Sequence, residues 1–154
     1  WNRSDFLNAM LSNNSANSNI LFTLDQIKAI HSKVKSGVDF PDFIQNLKSL
    51  GITQYETFVT DGHTDYYGLN GYKISSPGMY KLLTVCTAAN AGQFITRLKA
   101  HQQGKTDFQT FCMDSAKYGV EKWMVSIDKM TCTYYDKNAN EILKEIIPTT
   151  KTKP

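Results

Sequence analysis

The chain lacks any long apolar run. None of its 154 residues lies in a stretch approaching the ~18 apolar residues that a membrane-spanning helix needs. No basic stretch leads into a short apolar segment with a small-residue cleavage site, and a cytoplasmic location is the expectation. Cysteine is scarce: Cys86, Cys112 and Cys132 form an odd set without C-x-x-C spacing, which argues against a disulfide framework or a zinc ribbon and predicts reduced thiols. A clustered charge of one sign is missing too. The formal net charge of +3 is spread along the chain, whereas binders of nucleic acid or anionic membrane gather Lys and Arg on one face, so neither partner is expected. There is no G-x-G-x-x-G, P-loop, H-E-x-x-H or nucleophile elbow, and no cofactor, metal or catalytic residue is assigned.

What is present is ordinary globular material. With 41% hydrophobic and 20% charged residues, a chain of this length buries a sufficient core without metal or disulfides. The Asn- and Ser-rich residues 1–20 read as a flexible leader, in which Asn8-Ala9 before Met10 looks like a cloning scar, and residues 150–154 read as a solvated tail. Residues 21–149 are expected to form one domain.

Its punctuation is clear. Thr23-Leu24-Asp25-Gln26 is a capping box for a helix carrying Leu24, Ile27, Ile30 and Val34, with Gly37 as its stop. Asp39 is placed to cap a second helix with the stripe Phe40, Phe43, Ile44, Leu47 and Leu50, ending at Gly51. Residues 52–60 are β-rich, and Asp61-Gly62 suits a two-residue type I′ hairpin; Asn70-Gly71 repeats the signal before a third strand. Residues 80–87 read as a further buried strand.

The same text then begins again. Asn90 with Gln93, and Thr106 with Gln109, are capping boxes for helices closed by Gly104 and Gly119, and strands follow. Shifting the chain by the 68 residues that carry Asp39 onto Asp107 aligns residues 39–74 with 107–142 without a gap. Phe40/Phe108, Phe43/Phe111, Gly51/Gly119, Tyr66/Tyr134, Tyr67/Tyr135, Asn70/Asn138 and Ile74/Ile142 are identical. This predicts an internal duplication, with repeats over about residues 23–87 and 90–148. The expected class is α+β: two helix-helix-strands units whose strands join in one antiparallel sheet covered by helices, or two small sheets back to back.

Where the copies differ, function becomes possible. Asp61, His63 and Asp65 stand opposite Lys129, Thr131 and Thr133, and alternation puts His63 and Asp65 on one strand face, a spacing that can orient an imidazole or hold a divalent metal. The plainer reading is a polar hairpin with an exposed histidine. His31 and His101, near helix ends, suit the helix dipole better than a ligand role. Cys112, where the first copy has Ile44, reads as a small buried hydrophobe. One ring of each pair Tyr66/Tyr67 and Tyr134/Tyr135 belongs to the core, and the other can line a groove. The candidate surface is therefore Asp61, His63, Asp65, Tyr66, Tyr67, His101, Tyr134 and Tyr135.

Asp61-Gly62-His63-Thr64 with Tyr66, then Ala100-His101-Gln102-Gln103-Gly104-Lys105-Thr106-Asp107-Phe108 running to Phe111-Cys112, and Gly119-Val120 with Trp123, resemble the YdfO/YbcV-like family of small bacterial and prophage-borne proteins over about residues 22–148. The resemblance implies a small α+β fold and a domain of unknown function, sometimes labelled a phage envelope protein. It supplies no catalytic or binding residue. Two classes stay open: a non-catalytic binding or regulatory protein that holds a protein or small ligand in a groove or on a sheet face between the repeats, or a hydrolase or metal-assisted enzyme using Asp61, His63 and Asp65. Single-stranded nucleic-acid binding through tyrosines lacks its basic stripe.

Overall fold

A computed structural model describes residues 20–35 and 37–148. The tail, and all of the expected leader but Ile20, lie outside the described residues. Among the described residues four α-helices and six strands follow in the order α1 (Leu24–His31), α2 (Phe40–Leu50), β1 (Gln54–Phe58), β2 (Thr64–Tyr67), β3 (Lys73–Ser75), α3 (Ala91–Gln102), α4 (Phe108–Lys117), β4 (Lys122–Ser126), β5 (Thr131–Tyr135) and β6 (Glu141–Ile146). The strands form one antiparallel sheet of order β3-β2-β1-β4-β5-β6. The fold is α+β, with one sheet rather than two.

Local chemistry explains most boundaries. At α1 the Thr23 hydroxyl accepts from the Gln26 amide at 3.2 Å while Gln26 Oε1 accepts from the Thr23 amide at 2.8 Å, the expected capping box. The helix ends at His31 rather than running to Gly37, which instead opens a 3-10 turn, Gly37–Asp39. Asp39 precedes α2 without a capping bond to it; its carboxylate accepts from the Lys35 amide at 2.8 Å. Before α4 the cap is Asp107, one residue past Thr106: Asp107 Oδ1 accepts from the Thr110 amide at 2.8 Å. Gly119 leaves α4 at φ +86°, and a Cβ there would lie 2.5 Å from Ala89 Cα, so this glycine serves both conformation and close packing.

Two strand expectations are corrected. The β1–β2 connection is a five-residue loop, residues 59–63, in which the Gly62 amide donates to the Phe58 carbonyl at 2.8 Å, not a two-residue turn. Residues 80–87 form no strand, and only Val85 among them is buried. The segment straps the hairpin tip to the helices, its amides pairing singly: Leu83 with the Thr60 carbonyl and Cys86 with that of Ala116. These single bonds to two different elements make no ladder.

The 68-residue offset also relates the registers. Tyr55 pairs with Tyr66 and Thr57 with Thr64 in β1–β2; Trp123 pairs with Tyr134 and Val125 with Cys132 in β4–β5, each pair displaced by that offset. Only at the outer edge does it slip, where a bulge at Tyr134/Tyr135 shifts the register with β6.

The helices cover one sheet face. Phe43 meets Tyr55 at 6.5 Å between ring centroids, Phe111 meets Trp123 at 5.4 Å and Phe94 meets Tyr134 at 5.0 Å. Among these, Phe94 is fully buried, as are Ile44, Leu47 and Cys112 in the helices that roof the sheet. Burial on this scale is the main stabilising force. Among the described residues no helix is long and apolar enough to cross a membrane.

Candidate functional site

Among the described residues no helix lies over the second sheet face. Strand alternation sends Gln54, Glu56 and Phe58 to this side on β1, and cross-strand register adds Asp65 and Tyr67 from β2, Lys122, Met124 and Ser126 from β4, and Thr131, Thr133 and Tyr135 from β5. None of them belongs to the hydrophobic core.

The two halves of the face are built differently. In the first half, Glu56 and Asp65 are each only 7% exposed. Lys122 Nζ donates to Glu56 Oε2 at 2.8 Å, and Tyr67 Oη donates to Glu56 Oε1 at 3.1 Å. Loss of water, with the Glu56 carboxylate beside it, pushes the Tyr67 phenol up to about 12. The Lys122 ammonium lies 5.7 Å from the Phe58 ring centroid and 5.6 Å from that of Tyr135, so it bridges the two halves. Asp65 accepts from the Ser75 hydroxyl at 2.6 Å and has Lys73 Nζ 3.7 Å away.

His63 lies on the same face, stacked on Phe58 at 4.5 Å. Its Nδ1 donates to Asp61 Oδ1 at 2.6 Å, and the His63 amide donates to the same oxygen at 3.0 Å. Partial burial pushes the Asp61 carboxyl up, but these two bonds and the imidazole outweigh it and hold Asp61 below the usual carboxylate value. Nε2 points to Asp65, 3.6 Å away, beyond hydrogen-bond reach. The hairpin thus orients an imidazole between two carboxylates. The only described hydroxyl bonded to either carboxylate, that of Ser75, donates to Asp65 rather than to the ring. Among the described residues no three His, Cys, Asp or Glu side chains gather in a way that could hold a metal ion.

In the second half the same face sinks into a shallow depression of about 360 Å³. Gln54 of β1, Met124 and Ser126 of β4, and Thr131, Thr133 and Tyr135 of β5 line it, together with Asp128, Lys129 and Lys144. A smaller cleft of about 140 Å³ lies between α1 and α2 around Ile30 and Phe43.

Of the sequence candidates, Asp61, His63, Asp65, Tyr67 and Tyr135 come together on this face. Tyr66 and Tyr134 do not: strand alternation turns them under the helices, where they are 9% and 5% exposed. His101 is also removed from it. At the end of α3 it stacks on Phe111 at 4.5 Å with Nδ1 3.0 Å from the Thr106 carbonyl, and His31 lies edge-on to Phe43 in the same helix layer. The sheet therefore separates both imidazoles from His63. Sequence reasoning missed Glu56, Lys122, Met124 and Lys144. Glu56 and Lys122 meet across the central strand pair, and only a knowledge of that register brings them together.

Residues 28–146 match the family described as "Protein of unknown function (DUF1398)". No curated protein matches the chain.

Proposed function

We propose that this chain, which belongs to the DUF1398 family of proteins of unknown function, is a non-catalytic binding protein that holds a small ligand against the sheet face that none of the described helices covers. The observation that carries this reading is the depression of about 360 Å³, lined by strands of both halves, which falls in the ~300–1,000 Å³ range of small-molecule sites. Met124 and the Tyr135 ring offer apolar surface there, and the hydroxyls of Ser126, Thr131 and Thr133 offer polar contacts. That mixture suits a small molecule with one apolar and one polar part.

The same reading takes the two halves as copies of one duplicated unit, supported by the shared offset in sequence and register. A bacterial or prophage origin, a cytoplasmic location and a regulatory role rest on sequence reasoning and resemblance.

A second reading, a hydrolase or metal-assisted enzyme at His63, draws on the 2.6 Å bond to Asp61. The ring's second nitrogen faces Asp65 and one ring face lies on Phe58, which leaves little room for a reacting group.

The test is amide shift mapping of ¹⁵N-labelled protein mixed with a deproteinised extract of cells that express it naturally. The reading predicts shifts at Gln54, Met124 and Thr133. Shifts confined to the helices, or to the hairpin around His63, would count against it.

A further inference from the structure

Resting on that reading, we infer that the depression takes a phosphomonoester, with Lys129 and Lys144 as its charge partners. The two halves of the sheet differ where the 68-residue offset makes their positions correspond. In the first half, Phe58 and His63 stand side by side at the end of the β1–β2 ladder and stack on each other, so two rings fill the surface. The equivalent pair in the second half is Ser126 and Thr131, cross-strand partners in β4–β5. Two hydroxyls replace two rings there, and the lost volume accounts for the depression.

The charge beside these positions changes too: one carboxylate gives way to an ammonium and one to a neutral hydroxyl. Asp61 and Asp65 of the first half are replaced by Lys129 and Thr133. Lys144 on β6 pairs in register with Thr133 and adds a second ammonium, and Asp128 is the one carboxylate in the lining. The other lysines of this face are engaged, Lys122 of β4 by Glu56 at 2.8 Å and Lys73 of β3 by Asp65 at 3.7 Å. Among the described residues no carboxylate lies within ion-pair distance of Lys129 or Lys144. Ser126 Oγ accepts from the Lys129 amide at 3.3 Å and keeps its own proton to donate.

Two ammoniums and several hydroxyl donors around one hollow suit a group with many acceptor oxygens. A phosphate has more of these than a carboxylate. The Met124 side chain and the Tyr135 ring then meet the ester's carbon part.

The test is a titration of the ¹⁵N-labelled full chain with phenyl phosphate, with benzyl alcohol as the uncharged control and sodium chloride at matched ionic strength. Saturable shifts are expected at Ser126, Lys129, Thr131 and Thr133 with phenyl phosphate only, and affinity should fall by about tenfold or more in the Lys129→Glu/Lys144→Glu variant. Both substituted residues are exposed, and an otherwise unchanged spectrum verifies the fold. Absence of saturable shifts, the same shifts with chloride, or undiminished affinity in the double variant would overturn the phosphate assignment. Equal binding of benzyl alcohol at these amides would overturn it as well, while leaving the sheet face as a ligand surface.

Discussion

Glu56 and Met124 face each other across the central β1–β4 pair, and they are also the two residues that the 68-residue offset makes equivalent. The local symmetry of the sheet therefore runs through a carboxylate on one side and a thioether on the other. Around Glu56 the face is closed by its own polar contacts; around Met124 it is hollow.

The Glu56 carboxylate is held by Lys122 and Tyr67, and removing Lys122 strands a nearly buried charge. Lys122→Met is expected to lower unfolding stability by about 1–3 kcal/mol, and adding Glu56→Gln should recover part of it. Urea denaturation of the two singles and the double decides: equal, additive losses would mean that the contact carries no coupling.

Gly104 and Gly119 both have positive φ, +79° and +86°, but only Gly119 faces backbone that a Cβ would strike. Gly104→Ala should cost about 1 kcal/mol of conformational strain, and Gly119→Ala distinctly more, since Ala88 and Ala89 must shift. Thermal melts showing the reverse order would refute the packing of the Ala88–Ala89 backbone against the end of α4.

Cys112 and Cys132 are buried, and burial pushes their thiols up to about 11 and about 12, whereas Cys86 is exposed. At neutral pH a disulfide reagent is expected to label one thiol per native chain quickly, and three after denaturation. Fast labelling of Cys112 in the native protein would contradict its place in the core.

Asp61 has a folded-state carboxyl held below its ordinary value of 3.8. Its contribution to stability is therefore complete above that ordinary value and is lost as the pH falls through the depressed one. The stability difference between the wild type and Asp61→Asn should be flat near neutrality and shrink in acid. Chemical denaturation across that acid range checks it, and a difference that grows in acid would show the sign to be wrong.

How much of this could be read from sequence follows from the range of each interaction. The helices were legible because capping boxes such as Thr23 with Gln26 and stripes such as Phe43, Ile44 and Leu47 are local. The tyrosine pairs were legible in part: alternation guarantees one ring on each side, but the sequence alone does not say which side the helices cover. Residues 80–87 misled because an apolar, β-rich run predicts a ladder only if a strand edge is free to receive it, and here the segment wraps the hairpin tip. The hollow at Met124 was illegible because it is an absence of side-chain volume, created by Ser126 and Thr131 lying together in a register that the sequence does not print.

The most direct test of the central claim is native mass spectrometry of the protein purified gently from cells that express it naturally, as wild type and as Met124→Arg, with Met113→Arg on the exposed surface of α4 as control. Met124→Arg fills the hollow without touching the core. The account predicts a small-molecule adduct on the wild type and on Met113→Arg that is lost from Met124→Arg. An adduct that survives Met124→Arg, or no adduct on any of the three, would contradict it.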